Sequence, residues 1–78
     1  MPERAVEERH LQLADEHIER GRELMARLRR LIEEARLHEG NVDQATRTLI
    51  VMGDVLETFI FHRDGIAQTI ADIDAGKL

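Results

Sequence analysis

The residues whose types could do chemistry are four histidines and the acids beside them. His10, His17 and His38 share one heptad column with Leu24 and Leu31, and His62 lies in the corresponding column of a second helical segment, near the height of His17. Two imidazoles brought together in this way, joined by Glu16, Asp64 or a symmetry mate, make a donor set that suits zinc. His17 and His62 are therefore the metal candidates. The helical motifs that usually build such centres are missing: there is no HExxH, and the residues three before His62, His17 and His38 are Phe59, Ala14 and Ala35 rather than glutamate. The simpler role for the column is as histidines hydrogen-bonded at the edge of a packed interface, whose protonation as a close pair would weaken that interface.

Arg63 falls in a core column of the second segment, where an unpaired cation is costly. Its long stem is expected to lie along Ile18 and its head to reach Asp15, Glu19 or Asp64. His62-Arg63-Asp64 matches a kinase catalytic triplet in letters only, because that triplet needs a loop and a far larger fold. Met25 and Met52 read as core filler, as does Met1 at the terminus. No cysteine is present, which removes disulfides, thiolate metal sites and thiol catalysis. With no phosphate loop or nucleophile elbow either, no catalytic residue and no cofactor are expected, and the chain reads as a non-enzyme.

Charge narrows the partners. The net charge is −5 with both signs interleaved, which argues against nucleic acid. Arg20, Arg22, Arg27, Arg29 and Arg30 crowd one stretch, but Glu19, Glu23, Glu33 and Glu34 stand among them and predict local ion pairs on a solvated face. The first ten residues are too charged for a secretion signal, and no apolar run nears the ~20 residues of a membrane span, so a cytoplasmic protein away from membranes is expected. Phe59 and Phe61 are the only aromatics.

The elements that position these residues follow from the apolar period. Leu11, Ile18, Met25 and Ile32 alternate with Ala14, Gly21, Leu28 and Ala35, which predicts one helix over about 3–38. Leu49, Leu56, Arg63 and Ile70, beside Ala45, Met52, Phe59, Ile66 and Ile73, predict a second over about 42–75. Pro2 stands where proline is tolerated. Gly40 followed by Asn41 predicts a turn at about 39–41, with Gly40 as the left-handed C-terminal glycine and Asn41 capping the next helix together with Gln44. A short turn forces an antiparallel hairpin, a single domain over 1–78, and places residues at equal height when their numbers sum to about 80. Gly21 then faces Phe59, Ala14 faces Ile66 and Leu28 faces Met52.

A two-helix seam cannot cover all the apolar surface. Leu24 and Leu31 flank it on the first helix and Val55 on the second, facing the same side, and Val51, Ile60, Phe61 and Ala67 add to the excess. A chain of 78 residues without disulfides needs another source of stability. The fold class is therefore all-α: a two-helix antiparallel hairpin that dimerises into a four-helix bundle, with central layers of Leu24, Leu28, Leu31, Met52, Val55, Leu56 and Phe59. Leu24, Leu31, Val55, Phe59, His17 and His62 are its interface residues. Arg27 and Arg30 are the first candidates for contact with an outside protein.

His10-Leu11, Ala14-Asp15, His17-Ile18, Gly21, the arginine-rich stretch, Gly40, Asp43, Ala45, Leu56-Glu57 and His62-Arg63-Asp64 with Ile66 together resemble a group of short uncharacterised bacterial helical-hairpin proteins. The resemblance spans nearly the whole chain and implies a stand-alone hairpin, without implying an activity. The expected function is a small homodimeric protein-interaction or regulatory module acting through its helical surfaces; the alternative is a metal-binding bundle using His17 and His62.

Overall fold

Residues 4–37 are rich in leucine, alanine, glutamate and arginine, all strong helix formers, and contain no proline. The computed structural model describes residues 3–78 and places α1 over Arg4–Leu37 and α2 over Asp43–Asp74. Each boundary falls one residue inside its expected position, so the connection is 38–42 rather than 39–41. Met1 and Pro2 lie outside the described residues. Among those described there is no strand, and the two helices pack on each other as a hairpin measuring 58 × 15 × 14 Å. Neither helix is long and apolar enough to cross a membrane.

The turn corrects one expectation. The Glu39 N–H donates to the Arg36 carbonyl at 3.1 Å and the Gly40 N–H to the Ala35 carbonyl at 2.6 Å, the paired bonds of a Schellman motif. Its left-handed residue is Glu39, with φ 58°, and not Gly40. Gly40 is required for a different reason: a Cβ there would come within 3.0 Å of the Ala35 carbonyl oxygen. The left-handed conformation is thus displaced onto a side chain that disfavours it. Glu39→Gly should raise stability by roughly 0.5–1 kcal/mol, whereas Gly40→Ala should lower it, as read from urea midpoints.

The Asn41 side-chain oxygen accepts the Asp43 N–H at 3.0 Å, so asparagine does serve the start of α2. The reciprocal bond from Gln44 does not form, because the boundary residue is Val42 and Gln44 lies one position too early to reach back. At the far end the same Schellman pattern recurs with Gly76 left-handed at φ 75°, where glycine costs nothing.

Ala14, Ile18, Met25, Ile32 and Ile66 are the buried residues of the seam. The cross-helix register is two lower than the equal-height rule expects: Met25 lies against Gly53, Asp15 against Arg63 and Arg4 against Asp74, pairs whose numbers sum to 78. Gly21 consequently meets Leu56, whose methyl lies 3.3 Å from the position a Cβ would take, and not Phe59. The turn explains the offset, since it folds Gly40 directly onto Ala35 and starts α2 already partway down α1.

Arg4 binds Asp74 through two hydrogen bonds of 2.6 and 3.1 Å and also pairs with Glu8, closing the open end of the hairpin. The Arg4 guanidinium holds the Asp74 carboxyl below its usual range. That contribution is present at neutral pH and is lost as pH falls through the carboxylate range; both groups are exposed, so salt screens it.

Candidate functional site

A compact protein of 9.0 kDa has about 4,900 Å² of accessible surface, whereas this hairpin exposes 6090 Å². Its radius of gyration is 17.6 Å against about 11.5 Å for a compact chain of this length. The excess surface includes large apolar side chains. Leu24 is 45% exposed, Leu31 54%, Val55 45% and Phe59 41%. All four expected interface residues that are apolar therefore stand open in the single hairpin.

They open onto one side. Gly21, Leu24, Val51, Met52, Val55, Leu56 and Phe59 line a shallow groove at mid-length, with no charged side chain among them. Leu31 continues the Leu24 column one heptad towards the turn. Three threonines lie along the same side of α2 and present little polarity: the hydroxyls of Thr48, Thr58 and Thr69 donate to the carbonyls of Gln44, Asp54 and Gly65 at 3.0, 3.2 and 3.1 Å. A hydroxyl so occupied can be covered without loss of a hydrogen bond.

The groove runs on into the histidines. His10, His17 and His62 line one further depression with Leu13, Ala14 and Ile66, so α1 and α2 do bring the two metal candidates together. The His17 ring lies 6.3 Å from that of Phe59, tilted by 42°, which joins the histidine patch to the apolar groove. His38 sits apart at the end of α1. No carboxylate lines the depression, and among the described residues no group of three or more histidine or acidic side chains is placed to hold a metal ion. The nearest acid to His10 is Glu7, 4.0 Å away.

Arg63 behaves as its chemistry requires. Its Nε donates to Asp15 at 2.8 Å and a terminal nitrogen to Asp64 at 3.3 Å, which holds the guanidinium firmly protonated at the edge of the seam. The arginine stretch differs from expectation. Among the described residues none of Arg20, Arg22, Arg27, Arg29 or Arg30 is in an ion pair, although Glu23, Glu33 and Glu34 are close in sequence. Exposed helical pairs gain too little over hydration to hold two long side chains in place. These cations, Arg27 and Arg30 included, remain available for charge contacts beyond the hairpin.

Four exposed apolar residues, Leu13, Leu37, Ile50 and Leu78, escaped the sequence pattern. Leu13 is exposed beside the histidine column, three residues after His10, and widening that column by one position would have found it. Ile50 is exposed on the outer side of α2, near Val51 in sequence but turned away from the groove. Of the extra apolar residues on α2, Ile60 and Ala67 are half-buried, Val51 lines the groove, and Phe61 stands 82% exposed.

No protein-family model, curated protein or solved structure matches this chain. The geometry of the hairpin alone carries the functional reading.

Proposed function

We propose that this protein is a non-enzymatic module that acts by helix-face association, first of all with a second copy of itself, forming a four-helix bundle. One observation carries the reading: a continuous apolar side, from Leu31 through Leu24, Val55 and Phe59 to His17 and Leu13, stands open on a hairpin that buries few side chains. These four side chains are already about half-buried, so covering the rest of Leu24, Leu31, Val55 and Phe59 contributes of order 3–6 kcal/mol per chain, at roughly 1.5–3 for each full burial, and twice that per dimer. Association costs about 4–15 kcal/mol. The open side is also large enough, since 58 × 15 Å is a footprint close to the ~800 Å² per partner of a stable interface.

The competing reading, a metal-binding bundle using His17 and His62, is supported by the depression they share, and its remaining ligands would have to come from a second chain. One pair of measurements separates the two. Light scattering on chelator-treated protein at micromolar concentration should give twice the 9.0 kDa chain mass, and added zinc should leave the melting midpoint unmoved. A stable monomer without metal would overturn the association reading; a dimer that appears only with zinc would favour the alternative.

A further inference from the structure

A second copy can cover this side in two ways. A twofold axis along the hairpin lays α1 on the partner's α2 with both turns at one end; a twofold perpendicular to it lays α1 on the partner's α1 and α2 on the partner's α2, with the turns at opposite ends. Charge distinguishes them. Counting Glu3 at the N-terminal boundary of α1, residues 3–19 hold six acids and two arginines, whereas residues 20–37 hold six arginines and three acids. The first half is therefore −4 and the second +3. Two such helices attract when antiparallel.

We propose, resting on the association reading above, that the second copy binds antiparallel, with the twofold axis passing between Gly21 and Arg22 and α1 packed on the partner's α1. The register comes from two columns on the outer side of the Leu24 column, about 40° and 100° round the helix from it. Leu13, Arg20, Arg27 and Glu34 recur every seven residues in one, and Arg9, Glu16, Glu23 and Arg30 in the next outward. When facing residues sum to 43, Arg9 meets the partner's Glu34, Glu16 meets the partner's Arg27 and Arg20 meets the partner's Glu23. Every charged pair is opposite in sign, and Val6 meets the partner's Leu37. Sliding by one heptad sets Arg9 on the partner's Arg27 in one direction, and Arg20 on the partner's Arg30 in the other. All six of these charged side chains are exposed in the single hairpin, and among the described residues none is in an ion pair; Glu16 takes only a 3.5 Å hydrogen bond from Gln12. In the parallel arrangement, by contrast, Arg20 faces the partner's Thr58 and Arg27 the partner's Val51, leaving the charges unmatched.

The other helix fits the same axis. With the hairpin register fixed at 78, the α1 register requires α2 residues to meet when they sum to 113. Val55 then meets the partner's Thr58, Val51 the partner's His62, and Thr48 the partner's Gly65. No charge is buried by these pairs. Gly65 has no atom within 4 Å of the position a Cβ would take, so its surface is free to receive a threonine. The apolar groove of Leu24, Val55 and Phe59 falls at the axis, where it packs on its own copy. Arg27 becomes a residue of the dimer rim, and Arg30 lies across from the partner's Leu13, with its stem along that leucine and its charged head in solvent at the rim.

Because the chain has no cysteine, Arg36→Cys gives a single spin-label site on the exposed edge of α1 away from this face. The antiparallel dimer places two labels about 40 Å apart at 1.5 Å per residue, and a parallel one within about 20 Å. The expected result is the long distance. The short distance in a confirmed dimer overturns the orientation and leaves the association standing; a chain that stays monomeric overturns both. For the register, Arg27→Glu should raise the dissociation constant about tenfold through two repelling pairs, and adding Glu16→Arg should restore it. A double variant as weak as the single one overturns the pairing.

Discussion

Val55→Glu is expected to raise the dissociation constant of the dimer by at least about 100-fold, whereas Phe61→Glu leaves it within a factor of about two. Glutamate forms helix well, so neither change threatens α2 by propensity. Val55 is open in the single hairpin, so the charge meets water there and costs little. In the dimer it lies near the twofold axis, where each change is felt twice: two valines lose their burial, and two carboxylates are brought into an uncharged layer beside Phe59 and the partner's Thr58. The burial lost by the half-exposed valine is only about 0.7–1.3 kcal/mol per chain, and desolvating the two carboxylates adds at least as much again, so the total passes about 3 kcal/mol per dimer, two orders of magnitude in affinity. Phe61 is the matched control, since it is the more exposed and more apolar of the two but points away from the groove. Sedimentation equilibrium of the two variants checks the pair. An unchanged mass for Val55→Glu, or monomerisation by Phe61→Glu, would mean that the wrong side has been assigned.

Much of this was legible in the sequence because period and chemistry coincide. The alternation of Leu11, Ala14, Ile18, Gly21, Met25, Leu28, Ile32 and Ala35 has one helical solution, and each boundary of both helices lies within a residue of its expected place. Arg63 was legible for a similar reason: a cation in an apolar column has few places to put its charge, and Asp15 is the acid across the seam. The turn was less so. Glycine suggests a left-handed residue, but at Gly40 the demand is for closeness to Ala35, a tertiary contact that no local pattern reports, and the left-handed position falls on Glu39. The same contact sets the register, which is why Gly21 meets Leu56 rather than Phe59. The arginines were misjudged for an energetic reason, since proximity in sequence to Glu23, Glu33 and Glu34 is insufficient to hold an exposed pair. For the histidines a column fixes only height and side, so the approach of His10, His17 and His62 to one depression depended on the packing of α2, and His38 of the same column sits apart at the end of α1.

Ile18→Ala is expected to lower the melting midpoint by at least about 10 °C, with the midpoints of the parent and the variant both rising as protein concentration rises. Ile18 is among the most buried side chains of the seam, at 5% exposure. Truncating a buried isoleucine to alanine removes transfer energy and leaves a cavity, together about 2–5 kcal/mol. A domain of 60–100 residues shifts by ~4–8 °C per kcal/mol. The concentration dependence follows from mass action: when the folded hairpin is held by a partner and the unfolded chain is not, raising the concentration shifts both equilibria towards the folded dimer and recovers part of the midpoint. Thermal unfolding followed by circular dichroism at two concentrations a hundredfold apart measures both effects. A midpoint that falls by the stated amount but ignores concentration would place all of the stability within the single hairpin, and the apolar side would then need an occupant other than a second copy.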